Sequence, residues 1–146
     1  MLKQIFFTHI FLFTFVLFAQ NKNEIIGMYT LPNGIELEIV ETNNHFEGII
    51  RNIHNYKETK DIYNPDKSKR NENLTGKVIL KDLNYNEEEN IWDNGVLYAP
   101  EKGMNVNLKI TKSSQDEITV VVTKFIFHKT MKWKKQKLIK EKNHEK

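Results

Sequence analysis

The chain has no cysteine, and only three prolines and six glycines in 146 residues. Without thiols there is no disulfide framework, no thiolate metal site, no cysteine nucleophile and no lipidated cysteine, so core packing alone must hold the domain together. Helical periodicity is also lacking. Beyond the first twenty residues no stretch of ten or more repeats its apolar positions with a period near 3.6, which argues against a layered α/β fold. There is no glycine-rich phosphate loop and no Gly-x-Ser-x-Gly elbow. The five histidines, His9, His45, His54, His128 and His144, form neither a His-x-His nor a His-x-x-x-His pair, so their spacing offers no metal site. The sequence therefore leads us to expect no cofactor, no metal and no catalytic residue, and it reads as that of a non-enzyme.

One long apolar run is present, and it stands at the start. Lys3 precedes residues 5–19, whose only polar breaks are Thr8, His9 and Thr14; six of the nine phenylalanines lie there. A positive start, an apolar middle and a small residue at the end form the layout of an export signal, with cleavage expected near Ala19. The run is short of the roughly 20 residues that span a bilayer. Residues 1–19 are read as a signal peptide, 20–134 as a single domain and 135–146 as a basic tail. The product is expected in the periplasm or outside the cell. Without Lys3 the formal charge of +3 falls to +2. The positive charge gathers at the C-terminal end, in Lys129, Lys132, Lys134, Lys135, Lys137, Lys140, Lys142 and Lys146, offset by Glu141 and Glu145. Export makes nucleic acid an unsuitable partner; the Lys-rich end reads as a solvated tail, with weak contact to an anionic membrane surface as the alternative.

The domain reads as about eight short strands. Residues 25–31 form the first, and Pro32-Asn33-Gly34 closes it in a tight turn. In residues 35–41, Ile35, Leu37 and Ile39 alternate with Glu36 and Glu38, the period of a half-buried strand. Asn43-Asn44 turns the chain into residues 45–53, where Gly48 marks a bulge or bend. Residues 55–73 are polar and long for a plain connection, with a helical turn expected over 65–70. Residues 74–83 form the fourth strand. In the block from Trp92 to Gly103, Asp93-Asn94-Gly95 reads as a turn and Val96 to Tyr98 as a short strand. Met104, Val106, Leu108 and Ile110 alternate cleanly in the next strand. Residues 118–123 and 124–133 complete the set, with Phe125, Phe127, Met131 and Trp133 expected on the core side and Lys129 tolerated near an end. Eight strands joined mostly by antiparallel turns predict an all-β fold: an eight-stranded antiparallel up-and-down barrel, with a sandwich as the alternative.

The order of several motifs resembles the exported bacterial proteins grouped as domain of unknown function 2147. The pieces are I-I-G-M-Y-T at residues 25–30, F-x-G-x-I at 46–50, D-I-Y-N-P-D at 61–66, L-T-G at 74–76, the spacing Trp92-x-x-Gly95-x-x-Tyr98-x-Pro100-x-x-Gly103, and Met131-x-Trp133. The resemblance implies a lipocalin-like, or calycin-like, barrel with no established reaction. The chain departs from the family pattern in having Tyr29 for tryptophan, Met104 for tyrosine, and no glycine between Val120 and His128.

Six residues are candidates for ligand binding: Tyr29, Asp61, Asn64, Trp92, Tyr98 and Trp133. The aromatic members offer apolar surface with one polar handle each, as small amphipathic ligands require, and they also serve as core plugs. Asp61 and Asn64 suit either a cap that orders the long loop or polar recognition at a barrel mouth. Glu36, Glu38 and Glu41 read as the solvent face of a strand rather than as a catalytic pair. The expected function is non-enzymatic binding of a small lipid or other amphipathic molecule. The alternative is an envelope interaction module with a filled barrel. An interior cavity of a few hundred Å³ favours the first.

Overall fold

The computed structural model describes residues 21–137. The expected export signal and residues 138–146 of the basic tail lie outside them. Eight antiparallel strands, β1 (Gly27–Thr30), β2 (Glu36–Thr42), β3 (His45–Asn52), β4 (Val78–Asn86), β5 (Ile91–Ala99), β6 (Met104–Ser113), β7 (Glu117–Lys124) and β8 (Phe127–Lys135), pair in chain order. Closure comes from β1 against β8, where Tyr29 faces Lys135 and Thr30 faces Lys134. Just past the seam the Gln136 amide donates to the Met28 carbonyl at 2.8 Å. The seam is short, two residue pairs against the nine residues of β8.

Alternation decides which side chains enter the barrel. Leu37 and Ile39 on β2, Phe46 and Ile50 on β3, Leu80 and Leu83 on β4, Leu108 and Ile110 on β6, and Ile118 and Val120 on β7 are all buried. Glu36 and Glu38 alternate with them, and Glu38 accepts an exposed hydrogen bond from Arg51. Gly48 is needed on β3 because a Cβ there would meet the side chains of Leu37 and Leu80 at 2.8 Å.

The two ends of the barrel are closed differently. At the floor, a 3₁₀ turn (Lys22–Ile25) crosses the opening and buries Ile25. Trp92 rises to meet it and donates its indole N–H to the Lys22 carbonyl at 2.9 Å. The Tyr29 hydroxyl donates to the Ile25 carbonyl at 2.9 Å, and the Lys135 ammonium to the Glu24 carbonyl at 2.7 Å. Thus the first expected strand is shorter than its apolar pattern suggested, because Ile25 serves as plug and β1 begins at Gly27. The mouth lies at the other end, with the β1–β2, β5–β6 and β7–β8 turns and the long loop between β3 and β4.

Two further expectations are corrected. Asp93-Asn94-Gly95 is not a turn; β5 runs through it. Asn94 takes a φ of +60°, and the pairing with β6 shifts register between Trp92 and Gly95, the signature of a bulge. The chain reverses earlier, ahead of Ile91, with Asn90 at φ +55°. Phe125 and Phe127 are not core residues either. The β7–β8 hairpin turns at Phe125-Ile126, so these side chains stand at its tip, beyond the cover of neighbouring strands.

Candidate functional site

The long loop is ordered by a polar cluster around Asp61. Its carboxylate is fully buried, yet it accepts from three donors: the Tyr98 hydroxyl at 2.6 Å, the Asn64 amide at 2.6 Å and the Lys77 ammonium at 2.8 Å. Lys77 also reaches Glu72 at 2.8 Å. Burial alone would raise the Asp61 pKa, but the hydrogen bonds from Lys77, Tyr98 and Asn64, with the positive charge of Lys77, hold it below the usual carboxylate range. Burial would lower Lys77, and its two carboxylate partners instead hold it above the usual lysine value. The Tyr98 hydroxyl is pushed up by burial and by its bond to Asp61.

The surrounding backbone tightens the same unit. Asp61 accepts at its carbonyl from the Asn64 amide, and Arg70 donates to the Asn64 carbonyl at 2.8 Å. A 3₁₀ turn (Lys67–Lys69) follows, capped by Asp66, in the stretch where a helical turn was expected. On the β5–β6 turn, Gly103 takes a φ of +58°, and a Cβ there would lie 1.8 Å from the Tyr63 carbonyl oxygen. Only glycine admits so close a backbone. Two motifs far apart in the chain, D-I-Y-N-P and Tyr98-x-Pro100-x-x-Gly103, are therefore halves of one joint that straps the loop to the rim at the β5–β6 turn.

The six candidate residues separate into three groups. Asp61, Asn64 and Tyr98 converge in this joint, with donors and acceptors satisfied by one another. Tyr29 and Trp92 belong to the floor, where both polar handles are engaged; burial and the charge of Glu24 raise the Tyr29 pKa. Trp133 lies apart from both groups. It is 1% exposed, and its indole N–H has no hydrogen-bond partner among the described residues.

Trp133 lines a cavity at the mouth of about 290 Å³, together with Leu31, Ile35, Leu97, Lys129 and Met131. A second lobe of about 270 Å³ continues beside it, bounded by Val106, Val122 and Phe127. The lobes share Leu97, Ala99, Glu101, Lys129 and Met131. Lys129, Met131 and Trp133 stand in one column on β8, so the mouth has a cation near its rim, a flexible apolar side chain below it and an indole deeper still. Lys129 was not a sequence candidate, although a lone lysine in an otherwise apolar alternation was the signal. Lys77 was missed because its partners lie in loop text with no periodicity. A larger space of about 530 Å³ lies between the loop and the outward side of β4–β6, lined by Asn64, Lys69, Lys77, Lys81, Tyr98 and Asn105. Its walls mix apolar side chains, among them Pro65, Val78, Val96 and Met104, with these polar ones. Among the described residues, no three His, Asp or Glu side chains gather as a metal cluster would require.

A closed eight-stranded up-and-down barrel, plugged at one end by a short N-terminal turn and hollow at the other, is a lipocalin-type barrel. The chain belongs to the family described as "Uncharacterized protein conserved in bacteria (DUF2147)", whose model matches residues 27–135. It is also similar to a solved structure described as "Protein HP1028 from the human pathogen Helicobacter pylori belongs to the lipocalin family". The two share 20% identity with a TM-score of 0.68, over 77% of this chain and 83% of that one. At that identity the likeness is one of fold. No curated protein matches the chain.

Proposed function

We propose that this is an exported, non-enzymatic carrier that holds a small acid-headed apolar molecule in the mouth of the barrel. The observation that supports it is the β8 column of Lys129, Met131 and Trp133 along an apolar cavity. Placed at the rim, an anionic head meets the Lys129 ammonium and keeps its contact with water. The apolar chain then runs inward past Met131, where it displaces water from apolar walls at about 25 cal/mol per Å² buried. A head pushed down to Trp133 would lose its hydration for a single donor, a net loss. The Trp133 N–H instead suits one neutral acceptor, a hydroxyl or carbonyl oxygen, near the inner end of the chain.

Export rests on the apolar leader, and the carrier reading on the cavity. The alternative, a filled barrel that works through its surface, is disfavoured by the two mouth lobes, although the floor is packed solid. Displacement of dansyl-labelled undecanoic acid tests the carrier reading. Dodecanoate should displace the probe, ω-hydroxydodecanoate should displace it better, and Trp133→Phe should remove that preference. No probe binding, or displacement unchanged by Lys129→Ala and Trp133→Phe alike, would count against a carrier site at the mouth.

A further inference from the structure

The β7–β8 hairpin ends in three consecutive apolar residues left in solvent. Phe125 is 88% exposed, Ile126 86% and Phe127 74%. Scattered single apolar side chains on a surface are ordinary, but three in sequence at the tip of a projecting hairpin are not. Phe125 also holds a φ of +53°, a backbone state that a bulky side chain adopts at a cost. Neither packing nor turn chemistry accounts for phenylalanine at that position.

Lysines surround the tip. Lys124 precedes it, with its ammonium 5.5 Å from the Phe125 ring centroid and donating to the Asn105 carbonyl at 2.7 Å. His128 and Lys129 follow it, and Lys102 comes from the neighbouring β5–β6 turn; Phe127 and these four residues border one mouth lobe, with Glu101 the only acidic side chain there. Lys102, Lys124 and Lys129 form no ion pair among the described residues. Among those residues no helix is long and apolar enough to cross a membrane.

We propose that the Phe125-Ile126-Phe127 tip inserts into the interfacial layer of an anionic lipid surface, with Lys102, Lys124 and Lys129 against its headgroups. Aromatic and aliphatic side chains next to lysines match the two layers of such a surface, apolar below and negatively charged above. A second copy of this chain fits poorly, because it would bring the same cations together. Three tip residues also cover far less area than the roughly 1,200 Å² of a stable interface. Contact through the tip turns the mouth of the barrel toward the lipid. The proposal stands on the surface alone and holds whether or not the cavity carries a ligand.

The test is co-sedimentation of the purified protein with vesicles of phosphatidylglycerol and phosphatidylcholine, compared with phosphatidylcholine alone. The protein should favour the anionic vesicles and release with salt. Replacing the tip with Phe125→Asn, Ile126→Ser and Phe127→Ser together should weaken binding at least about tenfold, with the barrel's circular dichroism unchanged. Lys102→Ala and Lys124→Ala should each weaken it about fivefold, whereas Lys140→Glu with Lys142→Glu should leave most of it intact. The proposal is overturned by no preference for anionic vesicles, by undiminished binding of the tip variant, or by a dimer without vesicles that the tip variant dissolves. Loss of binding in the Lys140→Glu/Lys142→Glu protein with retention in the tip variant would place the contact in the tail and overturn it equally.

Discussion

The floor and the mouth of this barrel are built from similar residue types put to opposite uses. At the floor, Tyr29 and Trp92 are buried and both polar atoms are bonded to backbone carbonyls of the plugging turn. At the mouth, Trp133 is buried with its N–H unpartnered among the described residues, and two phenylalanines stand in solvent. The floor is held by apolar packing, by two neutral hydrogen bonds and by the Lys135 ammonium on the Glu24 carbonyl, whereas the rim of the mouth is held by an ionic joint at Asp61. The Asp61 carboxyl lies below the usual carboxylate range, so the joint loosens only in acid. The aromatic groups of the mouth remain available.

Breaking the strap should have the largest effect. Asp61→Ala leaves Lys77 and Tyr98 facing an empty buried position, and should destabilise the protein by about 3 kcal/mol in urea titrations. The pH dependence follows from the same group. The folded-state pKa of Asp61 is depressed, so its stabilisation is present above the unfolded value of about 3.9 and is lost as pH falls through the folded value. At the alkaline end, Tyr98 and Lys77 are raised, so their contributions are complete below about pH 10 and are lost only above it. Asp61→Asn should flatten the acid limb of the urea midpoint against pH; an unchanged acid limb would show that other carboxylates govern it.

A matched pair of substitutions sharpens the contrast between the ends. Trp92→Phe strands the Lys22 carbonyl and shrinks a packed floor, so a loss of about 2 kcal/mol is expected. Trp133→Phe removes no hydrogen bond within the described residues and borders space already open, so about 1 kcal/mol is expected. Equal losses in thermal unfolding would erase the distinction between floor and mouth. The smallest effect belongs to the tip. Phe125→Gly relieves a positive φ while removing no packed side chain, and should leave stability unchanged or raise it by up to about 1 kcal/mol. A substantial loss would mean that the Phe125 ring has a structural partner.

Much of the barrel was legible because alternation is a local signal. Ile35, Leu37 and Ile39 against Glu36 and Glu38 specify both a strand and its inward face, and the clean run from Met104 to Ile110 does the same. Signals that depend on what lies opposite were less legible. Asp93-Asn94-Gly95 has the composition of a turn, and only its position beside β6 makes it a bulge. Phe125 and Phe127 share parity with Met131 and Trp133, but periodicity does not say where a strand reverses. The Asp61 joint was half visible: Asp61, Asn64 and Tyr98 stood out, whereas Lys77 and Glu72 carried no pattern, because their pairing is made by the fold across the loop.

The most direct measurement uses the chain's two tryptophans one at a time. In Trp92→Phe the remaining indole is Trp133 at the mouth, and in Trp133→Phe it is Trp92 at the floor. If the mouth is the binding end, dodecanoate should produce a saturable, one-to-one change in Trp133 emission and leave Trp92 emission unaltered. A response from Trp92 with none from Trp133, or silence from both, would contradict it.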